Sequence, residues 1–137
     1  KELNLKKSDI KTYLDHAYHH GIPVKGLENL KEQLFGLEAN LEKLNGIDFK
    51  KGCYVGQENT ARMKLRNKLR RRLLPIKVKG KIDIGSEIMF NNNKIGKVLI
   101  NDPYPFALIK MFDPDFSEFD EKELLVNNNK TKIINNY

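Results

Sequence analysis

The chain has 137 residues, 39% hydrophobic and 31% charged, with a formal net charge of +7. That length suits one ordinary domain or two small pieces sharing a core, and that composition suits a folded protein, not a disordered tail. A single cysteine excludes an internal disulfide and supplies too few thiolates for a zinc site or an iron–sulfur cluster held by this chain alone, and no apolar run approaches the ~20 residues of a membrane helix.

The chain opens on Lys1 without a methionine, so a fragment is expected, and no leader segment is visible. One free cysteine fits a reducing compartment, and the expected location is cytoplasmic. Ser8 reads as a helix N-cap, with Ile10, Tyr13, Leu14, Ala17 and Tyr18 on one face and Gly21 as the stop. His16, His19 and His20 sit together, but only His16 and His20 are four apart and no third ligand is near, so they read as solvated surface histidines, not a metal site. Leu27, Leu30, Leu34, Leu37, Leu41 and Leu44 recur at three- and four-residue steps. They predict one broken helix over 26–44, or two short ones interrupted at Gly36, with a leucine stripe turned inward. Asn45-Gly46 is a turn signal, and a short helix is expected over 56–66.

Near residues 67–70 the period changes. Leu74, Ile76 and Val78 alternate with charged or turn-forming neighbours, and further short strands are expected at 87–90, 95–100, 106–112, 123–126 and 131–134. The Asn91–Asn93 and Asn127–Asn129 triplets suit hairpin tips, because asparagine tolerates the left-handed backbone of tight turns. The fold class is therefore α+β: a helical segment over 1–67 followed by a small antiparallel β-barrel over 68–137.

The densest chemistry lies between the two halves, in Lys50-Lys51-Gly52-Cys53-Tyr54-Val55-Gly56-Gln57-Glu58. A cysteine between two glycines, beside a lysine pair and ahead of a helix start, sits where the thiolate is favoured. A small thiol packed in a core is the alternative. Residues 50–81 carry twelve basic residues against the single acid Glu58, so an anionic partner is expected, whether a folate tail, a phosphate backbone or an acidic protein face.

The segment from Lys51 to Glu58 resembles the signature of the YgfZ-type folate-binding proteins, relatives of the glycine-cleavage T-protein, an aminomethyltransferase. The likeness extends to Arg62, Arg66 and the 68–72 basic run, and more weakly to Gly21-Ile22-Pro23 and Leu37-Glu38-Ala39-Asn40-Leu41, with Gly36 where a proline is common. The resemblance covers that family's C-terminal part only. It implies a tetrahydrofolate-dependent accessory protein that helps assemble or maintain iron–sulfur enzymes, including tRNA-modifying ones. Tetrahydrofolate binding is expected only together with the family's N-terminal half. The implied cofactor-binding residues are Glu38, Lys51, Gly52, Tyr54, Gly56, Gln57, Glu58 and Arg62, with Cys53 as a catalytic or ligand thiolate whose role the motif leaves open. No metal site is expected. Implied partners are folate and iron–sulfur client or assembly proteins, and no membrane.

An alternative is a folate-dependent aminomethyltransferase, although that family's catalytic aspartate belongs to the half with no counterpart here, so catalysis stays open. A second alternative is RNA contact through the basic 62–81 stretch. Against it, no aromatic residue interleaves with the charges there.

Overall fold

A computed structural model describes residues 6–52, 55–66 and 69–134. Helix α1 spans Ile10–His19, helix α2 spans Glu58–Leu65, and six strands follow: β1 Arg71–Val78, β2 Glu87–Phe90, β3 Asn93–Ile100, β4 Phe106–Lys110, β5 Leu124–Val126 and β6 Asn129–Ile133. The strands close into an antiparallel barrel in the order β1-β4-β3-β2-β5-β6. This is the α+β arrangement with a small barrel that the change of period predicts.

Alternation along the strands builds the barrel. Leu74, Ile76, Ile88, Ile95, Val98, Ala107, Ile109, Leu124, Val126 and Ile133 point inward with Phe119 and form the main core. Gly96 on β3 permits the tight approach to β4, since a Cβ there would lie 2.6 Å from Ile109 Cδ1 and 2.8 Å from Leu108 O. Both asparagine tips turn as expected: Asn91 and Asn92 have φ of 48° and 62°, and Asn127 and Asn128 have 47° and 64°. Two successive positive φ values match the right-handed twist of the strands they join.

A second apolar cluster lies outside the barrel, where Leu73, Leu99, Ile100, Phe106 and Leu108 meet Tyr18 of α1. The Tyr18 hydroxyl donates to Ile76 O at 2.6 Å, and its ring stacks on Tyr104 with centroids 4.6 Å apart. Burial pushes the Tyr18 hydroxyl pKa well above its ordinary value, with the neighbouring Tyr104 adding to the rise. The Tyr104 hydroxyl in turn bonds Asp15.

Three expectations are corrected. The N-cap of α1 is Asp9, not Ser8: Asp9 keeps an extended backbone and its carboxylate accepts from the Lys11 N–H at 3.3 Å. No leucine helix forms over 26–44. One 3-10 turn occupies Leu27–Leu30, and turns follow to residue 45. Gly26, Glu32, Asn40 and Asn45 all have positive φ, which breaks helical propagation. The stripe is also incomplete, because Leu37 is buried while Leu27 and Leu41 stay exposed. Finally, α1 leaves Ile10 and Tyr13 in the open, so only its Ala17–Tyr18 end is core.

Candidate functional site

The glycine–cysteine segment leads into α2. Cys53 and Tyr54 lie outside the described residues, as do Asn67 and Lys68 near the expected boundary. Lys50, Lys51 and Gly52 are exposed, and the Lys50 N–H donates to Asp48 Oδ1 at 2.8 Å. The two glycines differ. A Cβ on Gly52 would meet nothing within 4 Å, whereas Gly56 has φ of 86° and makes a turn that L side chains rarely adopt. Gln57 caps α2, its carbonyl accepting from the Ala61 N–H at 2.8 Å, and Glu58 opens the helix where a carboxylate favours the dipole. Lys64 ties α2 back to Glu42 by an ion pair and lies 5.2 Å over the Phe49 ring.

Glu38 is buried, and its carboxylate is engaged. Arg71 donates from Nε to Oε1 at 2.9 Å and from Nη2 to Oε2 at 3.2 Å, and the Phe35 N–H donates to Oε2 at 2.9 Å. The Leu73 N–H donates to Glu38 O at 2.8 Å, and Asn40 Nδ2 donates to Leu73 O at 2.6 Å. Residues 38–40 are thus clamped along the start of β1. The carboxylate that the resemblance implies as a cofactor-binding group is, in this geometry, the partner of a guanidinium.

Around this clamp runs a basic groove. One part, of about 690 Å³, lies between α2, the 35–38 turn and the start of β1, and is lined by Phe35, Glu38, Met63, Arg66, Arg70 and Arg71. The next part, of about 610 Å³, shares Arg70 and Arg71 and continues to Lys110, Phe112 and Asp113. Arg71 stands directly opposite Lys110 in the β1–β4 register. Among the described residues, the guanidiniums of Arg66 and Arg70 meet no carboxylate. Phe35 and Phe112 are 52% and 48% exposed, so apolar rings flank the charges. Arg62 is exposed on α2 and lines neither part. A neighbouring hollow of about 340 Å³ includes Lys43 and Arg72. Burial lowers the Lys43 pKa, and the Arg72 charge lowers it further.

The fold therefore brings Glu38 and Arg66 together with Arg70, Arg71, Lys110, Phe35 and Phe112, most of which the sequence left unassigned. Phe35 and Phe112 enter from either side of the basic run, so the absence of interleaved aromatics does not hold in space. The available signal was the strand pattern: outward Arg71 is the odd partner of inward Leu74 and Ile76. Among the described residues, no group of three His, Cys, Asp or Glu side chains is placed to hold a metal ion. His16 and His20 merely pack edge to face at 4.5 Å. No described helix is long and apolar enough to cross a membrane.

No protein-family profile matches the chain. It is similar to proteins named iron-sulfur cluster assembly factor IBA57, or its homolog, mitochondrial. The likeness is 40% identity over 74 residues with the Phaeosphaeria nodorum protein, 54% of this chain and 18% of that protein. It is 40% over 72 residues with the Mus musculus protein, 53% and 20%, and 41% over 70 residues with the Homo sapiens protein, 50% and 19%. Each match thus spans about a fifth of the relative's own length. The relatives' names place those proteins in mitochondria, which overturns the cytoplasmic expectation. At this coverage the likeness supports a kinship at family level, with iron–sulfur assembly proteins on the far side of it.

Proposed function

We propose that the chain acts in iron–sulfur cluster assembly or maintenance, as one part of a folate-binding accessory protein. The observation that carries this reading is the identity of about 40% with assembly factors over half of the chain. Cys53 is the one thiol of this chain, so a cluster handled here as cargo draws its remaining ligands from outside these residues. Client or assembly proteins, tRNA-modifying enzymes among them, are the partners of this reading.

Tetrahydrofolate fits the described residues in part. The guanidiniums of Arg66 and Arg70, which meet no carboxylate among the described residues, suit the carboxylates of a folate tail, which a planar fork binds with two hydrogen bonds. Phe35 and Met63 offer an apolar wall. Glu38 is not free for the pterin head, because Arg71 and the Phe35 N–H occupy its carboxylate. The chain thus supplies the tail side of a shared pocket, and the bound folate would supply one-carbon or redox chemistry at its ring. Calorimetry with tetrahydrofolate tests this. Weak binding that falls further in Arg66→Ala and Arg70→Ala is expected. Tight binding, or binding indifferent to both substitutions, overturns it.

A second reading, RNA contact at the same groove, draws on Phe35 and Phe112 as stacking surfaces beside the arginines. Its mark is an affinity for single-stranded RNA that drops steeply between low and moderate salt.

A further inference from the structure

The outward residues at the far ends of β1 and β6 are lysines facing lysines. Lys77 stands directly opposite Lys132 in the register, and the ladder continues to Lys79, whose N–H donates to Lys130 O. Directly opposed like charges destabilise a sheet. In the like-charge pair beside the groove, Arg71 opposite Lys110, Arg71 is ion-paired with the buried Glu38. Here the compensation is thin. Lys130 reaches Glu123 at 2.7 Å, while Lys77, Lys79 and Lys132 meet no carboxylate among the described residues.

Lysines often protect an exposed sheet edge from pairing with another chain. That explanation fails here, because β1 and β6 pair with each other in a closed barrel and leave no edge. The same outer row runs on from Lys130 to Leu125 and then to Met89, as the register of β6, β5 and β2 shows. Leu125 is 48% exposed. An apolar pair thus adjoins a square of four ammonium groups.

We propose that this face docks an acidic protein segment with an apolar anchor, its carboxylates along Lys77, Lys79, Lys130 and Lys132 and its anchor on Leu125 and Met89. An apolar centre with a charged rim is the make-up of a protein interface. The square carries no arginine fork and no aromatic platform, the features that single-stranded nucleic acid uses. Lys77 lies about 20 Å along β1 from Arg71, so the face is separate from the groove and does not depend on the folate reading.

The test uses the full chain and a fluorescent twelve-residue Glu-rich peptide containing two leucines, followed by anisotropy. A poly(U) 12-mer and anionic phospholipid vesicles are titrated in parallel. Lys77→Glu should weaken peptide binding about tenfold while raising the melting midpoint by about 1–3 °C, because it replaces a repulsive pair with an attractive one. Leu125→Ser should weaken binding at unchanged salt dependence. Lys132→Gln, which removes a charge without adding one, repeats the test should Lys77→Glu fold poorly. Peptide binding that ignores these substitutions overturns the proposal. So does RNA or vesicle binding that is lost in Lys77→Glu while the peptide stays unbound.

Discussion

Replacing Glu38 with alanine should destabilise the fold by about 2–3 kcal/mol. The buried carboxylate accepts from the Phe35 N–H at 2.9 Å and from two nitrogens of Arg71. Breaking a buried pair by removing one member costs about 3–5 kcal/mol when the survivor stays buried. Arg71, however, is 43% exposed in its side chain, so water recovers much of its charge. The ion-pair share then falls toward about 1 kcal/mol, and the charged hydrogen bond to Phe35 supplies about another 1.5–2. For a chain of this size that corresponds to a drop of about 7–10 °C in the midpoint, read by circular dichroism. Glu38→Gln keeps an acceptor for the Phe35 N–H and should lose about half as much. Arg71→Ala strands the carboxylate in the interior and should cost at least as much as Glu38→Ala. A Glu38→Ala protein that melts within about 1 °C of the parent would refute the clamp. A simultaneous loss of folate affinity would then return Glu38 to the ligand.

Tyr18 makes stability fall in alkali. Its pKa in the fold is raised above the ordinary value near 10, so its contribution is complete below that pH and is lost as pH rises beyond it. Tyr18→Phe should therefore flatten the decline of the unfolding free energy above about pH 10, while costing about 1 kcal/mol at neutral pH through the bond to Ile76 O. At the central motif, native Cys53 should be alkylated by iodoacetamide at neutral pH faster than an unperturbed thiol of pKa about 8.5, and Cys53→Ala should leave folding intact. Labelling only after unfolding would make it a core thiol.

The barrel was legible because its code is local. Leu74, Ile76 and Val78 alternate, and the asparagine triplets announce turns whose φ values only a few residues accept. The 26–44 segment misled for a physical reason: its leucine spacing is helical, but Gly26, Glu32 and Asn40 take left-handed backbone that spacing does not reveal. Site residues divided the same way. Gly56 and Glu58 fall in the motif, whereas Arg70, Lys110 and Phe112 join the groove only through the β1–β4 register, a pairing between strands some thirty residues apart.

That register also bears on how the chain is made. Neither neighbour of β1 is adjacent to it in sequence: β4 and β6 both emerge later, and β6 ends about 55 residues after β1 does. At ribosomal rates of about 5–20 residues per second, Ile76 waits roughly 3–11 s for its partner Ile133. The β2–β3 hairpin, with its two-asparagine tip, can form at once, and β4 can add to it before β1 is enclosed. Until β4 emerges, β1 is an apolar strand without a partner, the state in which a nascent chain most needs a chaperone. The run of Arg70, Arg71 and Arg72 at its start places repelling charge beside the segment at greatest risk of aggregation.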